Sequence, residues 1–198
     1  MNQKPLPEMV YEILRQRRSV RRFSQKTIPQ SILTQCVDVG RLAPSGANLQ
    51  PLFFIIVNDR NLCKELFETI GWAAYITPKW VPKESERPVA YIALGIKEDQ
   101  SAWAIRDVSF AAAQITVLAA AYGIGSCVLC NIDKKAIQRI LKIPMGNTID
   151  SLIALGYPQE QPIIDTLTDD VKYWRDASDV LHVPKRTLDS VIFYNAYD

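Results

Sequence analysis

The chain has 198 residues, 48% of them hydrophobic and 22% charged, with 12 Pro and 8 Gly. That composition builds a single cored domain and excludes disordered, collagen-like and low-complexity classes. The formal net charge is only +2, but residues 1–30 hold seven basic side chains (Lys4, Arg15, Arg17, Arg18, Arg21, Arg22, Lys26) against Glu8 and Glu12, and the remainder is mildly acidic. Basic charge concentrated in one short run points to a local anion site and away from nucleic acid, whose partners spread basic charge over a whole face.

The opening residues MNQKPLPEMVYEILRQ contain no apolar core of signal-peptide length. Cys36, Cys63, Cys127 and Cys130 are too few and too scattered for a disulfide framework. A reducing, cytoplasmic setting is therefore expected. Residues 8–16 are predicted to form a first helix with Met9, Val10, Ile13 and Leu14 on one face, and RRSVRRF then breaks the helical period. Pro29 is placed to open a second helix, whose apolar stripe runs through Ile32, Leu33, Cys36, Val37 and Gly40 until Pro44 ends it. PSGANLQP, at 44–51, is a loop; LFFIIV after it is a buried strand. An amphipathic helix follows at 60–70. Residues 71–88, with Trp72, Tyr75, Pro78, Trp80 and Pro82, have no period, and irregular stretches rich in aromatics often cover a ligand.

VAYIALGIK at 89–97 is a second buried strand. The helix predicted from about 103 to 122 is nearly apolar all round after Asp107, so it must be covered on every side, by sheet, helices or a second subunit. Its stretch 108–122 would span about 22 Å, short of the roughly 30 Å of bilayer hydrocarbon, and carries Gln114; no membrane span is expected. SCVL, at 126–129, is a third strand, 134–141 a helix stopped before Pro144, and SLIALGYP a fourth strand. The last forty residues, with Trp174, the sole histidine His182 and PKRTLDSVIFY, have too little periodicity to close a domain alone. Strands separated by helices at uneven intervals indicate a three-layer α+β or α/β sandwich without a dividing linker.

In an extended RRSVRRF, alternation puts Arg17, Ser19 and Arg21 on one face and Arg18, Val20 and Arg22 on the other. Two guanidinium forks flanking a hydroxyl can meet three phosphate oxygens; the alternative is a solvated basic surface. In PSGANLQP, small residues let backbone approach a flat ligand while Ser45, Asn48 and Gln50 supply donors and acceptors. GIGSCVLCN, at 123–131, fails the dinucleotide fingerprint, since Val128 stands where the third glycine belongs and a helix precedes it. The Cys127–Cys130 spacing lacks the second Cys/His pair of a zinc site and the helix that a thioredoxin-like motif needs, so no metal is expected. One histidine, no paired catalytic carboxylates and no Ser/His/Asp pattern leave hydrolysis without candidates. His182 is expected to pack or hydrogen-bond, and Trp72, Tyr75, Trp80 and Trp174 to serve either as lid or as core.

RRSVRRF, PSGANLQP with FFIIV, a long alanine-rich helix ending in GIGSCVL, ALGYPQEQP, and HVPKRTLDSVIFY occur in one order over nearly the whole chain. Together they resemble the FMN-dependent nitroreductase family. The resemblance implies an α-β-α sandwich with a mixed central sheet, working as an intertwined homodimer in which the segment from about 158 to 198 packs on the other subunit. It implies two FMN molecules at the interface, with Arg17, Ser19 and Arg21, and Arg18 as a fourth, on the phosphate and ribityl chain. Pro44, Ser45, Gly46 and Asn48 would reach the flavin from the partner. Backbone N–H groups along Leu129, Cys130 and Asn131 would face flavin N5 and O4, and Lys185 or Arg186 would return to the phosphate. The implied activity is ping-pong hydride transfer from NAD(P)H to an electron-poor small molecule such as a nitroaromatic or quinone. Dehalogenation, flavin fragmentation, ring dehydrogenation or a low-turnover flavin-binding module are the alternatives. Cys130 and Asn131 depart from the glycine or glutamate that many relatives have at the flavin edge.

Overall fold

The computed structural model describes residues 4–76, 79–98 and 103–197; Pro78 of the irregular segment and Asp198 lie outside them. Four strands form the central sheet: β1 (Leu52–Val57), β2 (Ala90–Ile96), β3 (Gly125–Leu129) and β4 (Thr148–Gly156), in the order β1-β2-β4-β3. All three pairings are antiparallel. The mixed character comes from an added edge, since the extended stretch after the first helix makes a parallel bridge from Ser19 to Ser126.

Both faces of the sheet are covered, which is why the central strands read as continuous apolar runs. On β2, Tyr91 and Ala93 face one core while Ala90, Ile92 and Leu94 face the other. The first core lies under α3 (Arg60–Phe67) and α5 (Lys134–Ile140), the second under α2 (Gln30–Arg41) and α4 (Ala104–Ala121). This is the expected three-layer sandwich. A bulge interrupts the β2–β4 register, which passes from Leu94↔Ser151 to Gly95↔Ile149 and leaves Asp150 without a partner. It resets the alternation, so that Ile149 and Leu152 both enter the first core. Asp59 and Asp133 cap α3 and α5 by accepting backbone N–H groups of the first turn. α3 stops before residue 70, because Thr69 Oγ1 donates to the Leu66 carbonyl and Ile70 pairs with Ile132 instead.

α2 and α4 approach so closely that a Cβ on Gly40 would sit 2.8 Å from Ile115. α4 is long and apolar enough, by length and composition alone, to cross a membrane, yet it buries Val108, Ala111, Ala112, Ile115 and Ala119 against the sheet and α2. Its opposite face is left open: Ile105 and Phe110 are exposed. Beside it α1 (Leu6–Gln16) buries no residue, and Leu6, Met9, Val10 and Leu14 are exposed. The all-round covering expected for this helix is therefore only half supplied by its own chain.

The last forty residues form a second, small sheet that their weak periodicity hid: β5 (Ile163–Thr166), β7 (Leu181–Lys185) and β6 (Trp174–Arg175), in that order. β5 pairs parallel with β7, and β6 pairs antiparallel only with its first two residues, which leaves Pro184 clear of the β6 side. Within the chain, this sheet docks through buried Leu181 and a set of ion pairs, while 185–197 is exposed throughout.

Truncating a fully buried side chain in the central strand tests this packing. Leu152→Ala is expected to cost about 3 kcal/mol of unfolding free energy, read from urea denaturation.

Candidate functional site

The site is organised by residues 17–23. α1 ends at Gln16 and Arg17 is already extended; Arg18 turns its guanidinium back onto the freed carbonyls of Arg15, at 2.5 Å, and Arg17. Arg18, which alternation puts on the face opposite Arg17, lines the same cleft as Arg17, and burial, then the neighbouring Arg17 charge, lowers its pKa. Val20 N–H donates to the Ser126 carbonyl at 2.9 Å, which seats the segment along β3. Val20 and Phe23 enter the core. They can do so because a Cβ on Gly125 would meet Val20 at 3.0 Å and one on Gly156 would meet Phe23 at 2.7 Å.

Ser19 bridges to Ser126 and its hydroxyl hydrogen-bonds the Cys127 thiol, and the Arg17 and Arg21 charges both act on that thiol. Val128 is exposed while its neighbours Cys127 and Leu129 are buried. Arg17, Ser19 and Arg21 therefore lie about the edge of β3 at Cys127, near the exposed Val128 and Cys130. A cleft of about 560 Å³ adjoins it, lined among others by Arg17, Gly125, Ser126, Glu160 and Pro162.

Carboxylates decide which cations remain available. Arg22 pairs with Asp179 and with Glu86 at 3.8 Å, and Arg175 pairs with Glu160 at 2.5 Å and Asp179 at 3.6 Å. Trp80 lies between these two guanidiniums, 5.3 and 5.2 Å from its ring centre. Among the described residues neither Arg17 nor Arg21 has an ion pair, and Arg21 rests on the Tyr173 ring at 4.5 Å. Two half-buried guanidiniums are thus left without an ion pair among the described residues, while the Ser19 hydroxyl is engaged with the Cys127 thiol.

The Cys127–Cys130 pair is not a dithiol. Cys127 points into the core and Cys130 is exposed, and both are free. Burial raises the Cys127 pKa, and burial followed by the Asp150 charge raises that of Cys130. Among the described residues the backbone N–H groups of Cys130 and Asn131 find no acceptor, whereas the Asn131 carbonyl accepts Gly71 N–H at 2.9 Å. Leu129 is buried and paired with Leu152 of β4.

The loop at 44–51 lies elsewhere. Ala47, Asn48 and Gln50 have positive φ, Gln50 N–H donates to Ser45 Oγ, and Gly46 N–H donates to the buried Asp107 carboxylate at 3.1 Å. Asp107 begins α4, while Ala120, thirteen residues and about 20 Å along it, lines the cleft beside Arg17. One chain therefore keeps Pro44, Ser45, Gly46 and Asn48 apart from the arginine segment. Lys185 and Arg186 are exposed at the end of β7, and neither side chain has a partner among the described residues.

The aromatics divide. Trp72 is core, stacked on Phe67 at 5.3 Å; Tyr75 is exposed and touches Tyr173. Trp174 stacks on His182 at 4.1 Å, and the imidazole reaches Asp165 at 2.6 Å through Nδ1 and Asp176 at 3.2 Å through Nε2. Sequence reasoning missed Glu160, Arg175 and Asp179: their partners lie up to 157 positions away, beyond any local pattern.

The nitroreductase family model matches residues 14–157. The chain belongs to the nitroreductase family. Among relatives of this nitroreductase-family chain, an Archaeoglobus fulgidus protein named NADH dehydrogenase/NAD(P)H nitroreductase is 30% identical over 149 residues, which cover 73% of this chain and 83% of that one. An iodotyrosine deiodinase of Thermotoga neapolitana is 25% identical, covering 77% and 90%. The crystal structure of a Bacteroides fragilis nitroreductase with bound FMN superposes with a TM-score of 0.65 at 25% identity, covering 81% and 94%.

Burial pulls the His182 pKa down, but its hydrogen bonds to Asp165 and Asp176 outweigh that and raise it above the ordinary 6.5. The charged ring's contribution to holding the small sheet is complete below about 6.5 and is lost as pH rises through the higher folded value. The chain's single histidine gives one NMR resonance to follow. We expect its midpoint above 6.5, amide protection factors in β7, corrected for intrinsic exchange, that fall over the same interval, and no such fall in His182→Gln.

Proposed function

We propose that this chain is an FMN-dependent oxidoreductase working as a homodimer, which takes reducing equivalents from NAD(P)H and passes them to an electron-poor small molecule such as a nitroaromatic or quinone. The observation that carries the reading is the pair of half-buried arginines, Arg17 and Arg21, left without an ion pair among the described residues where their segment bridges β3, near the exposed Val128 and Cys130. The donors there fit a phosphorylated flavin: guanidiniums without ion pairs for a dianion, and N–H groups at Cys130 and Asn131 that lack acceptors among the described residues. The FMN-bound Bacteroides fragilis relative supports the same choice.

Arg17, Ser19 and Arg21 would hold the phosphate and ribityl chain, and the N–H groups of Cys130 and Asn131 would stabilise negative charge at the ring's edge. Bound FMN supplies the hydride-accepting and hydride-donating centre. The chain then needs no nucleophile of its own, in keeping with the raised pKa values of the buried Cys127 and the exposed Cys130 and a histidine committed to two aspartates.

The dimer reading rests on the uncovered faces of α1 and α4, which border an apolar groove of about 560 Å³ lined by Val10, Leu14, Ala113, Val117 and Leu118. A twofold pairing that set two α4 helices antiparallel would carry the 44–48 loop of one chain toward the arginine segment of the other, closing the 20 Å gap that one chain leaves. The exposed stretch 185–197, with Phe193 and Tyr194, would then lie against the partner. The deiodinase relative motivates one alternative acceptor, a halogenated phenol.

The purified chain is expected to be yellow, to bleach anaerobically with NADH or NADPH, and to recover its colour on adding a nitroaromatic. Recovery with an iodophenol alone would favour the alternative, and colour without bleaching would reduce the protein to a binding module. Arg17→Ala with Arg21→Ala is expected to lose FMN while keeping its circular dichroism; full occupancy would refute the clamp. Light scattering should report a dimer, and Val117→Glu should give a monomer with weakened FMN binding.

A further inference from the structure

The turn after β4 grips the clamp segment from behind. Phe23 bridges to Pro158, Gln159 N–H donates to the Arg22 carbonyl at 2.9 Å, and Glu160 Oε1 accepts the Arg21 N–H at 2.5 Å. The other oxygen, Oε2, accepts Arg175 Nη2 at 2.5 Å. The Glu160 and Arg175 side chains are only 6% and 9% exposed, so this pair is held away from water.

We propose that Glu160 is a positioning residue for the phosphate clamp. One carboxylate does two things there. It fixes the backbone of Arg21, and with it the direction in which that guanidinium leaves the segment. It also neutralises Arg175, a buried cation that would otherwise compete with Arg17 and Arg21 for the same anion or pull the small sheet out of place. Tyr173, two residues before Arg175, is the ring on which Arg21 rests, so the Arg175 pairing also sets the platform under Arg21. The ligand feature that Glu160 serves is the phosphate, and it thereby sets the preference for FMN over riboflavin.

This inference rests on the flavin reading above, and the comparison of two flavins separates the two. The full-length chain, stripped of flavin, is titrated with FMN and with riboflavin while fluorescence quenching is followed. Glu160→Ala is expected to weaken FMN binding about tenfold and to leave riboflavin binding unchanged, so the ratio of the two Kd values falls about tenfold. Glu160→Gln, which keeps an acceptor for the Arg21 N–H, recovers part of the loss. Should Glu160→Ala fail to fold, Glu160→Asp keeps the charge but cannot reach both partners, and it lowers the same ratio. Equal losses for both flavins would assign Glu160 to the stability of the small sheet alone and overturn the proposal, as would an unchanged ratio in every folded variant. A wild-type chain that binds neither flavin would overturn the flavin reading and this inference with it.

Discussion

The docking of residues 17–23 along β3 is the interaction on which the candidate site depends. Val20, seated by its hydrogen bond to the Ser126 carbonyl, and Phe23, three residues on, both enter the same core, so strict alternation does not run through the segment and these two anchors set where Arg17, Ser19 and Arg21 lie. Two positions without side chains, Gly125 and Gly156, make room for that docking. The segment is also tied at its start by Arg18 on the end of α1 and behind by the 158–160 turn, which fixes its register at three points.

Charge pairing then does the selecting. Five arginines lie in or beside this region, and they are chemically alike. Arg18 is spent on backbone carbonyls, Arg22 and Arg175 on Asp179, Glu86 and Glu160, and Arg17 and Arg21 are left without an ion pair among the described residues. Partly buried ion pairs of this kind add little net stability once desolvation is counted. Their effect here is specificity: they decide which cations an anion can find, and they bind the small C-terminal sheet to the clamp segment.

The apolar faces of α1 and α4 are the other unfinished part of the molecule. Water cannot compensate a surface carrying Leu6, Val10, Leu14, Ile105 and Phe110. Covering it with a second copy would bring together two loops that one chain holds at opposite ends of α4, so the proposed assembly and the proposed site have one geometric cause. A redox cofactor at such an interface asks the protein for orientation, charge and exclusion of water, which this set of residues can supply.

Much of this was legible in the sequence. Periodicity and the positions of Pro29, Pro44 and Pro144 located the helices and central strands, because those signals are local: a helix or strand buries what its own period brings to one side. The alternation read in RRSVRRF does not run through to Phe23, which enters the same core as Val20. The small sheet escaped, since its strands are two to five residues long and hold together through partners far away in the chain, such as Asp179 for Arg22. The Cys127–Cys130 spacing and Arg18 were ambiguous as text; a strand's pleat separated the two thiols, and a helix end claimed the guanidinium. The sequence by itself thus determined the elements, the sandwich and the location of the basic run, because propensity, patterning and turn chemistry act over a few residues. Which arginines lack an ion pair among the described residues, and that α4 leaves one face open while holding the 44–48 loop and the arginine segment about 20 Å apart, only the tertiary structure decided, because burial and charge pairing join residues that the chain itself keeps distant.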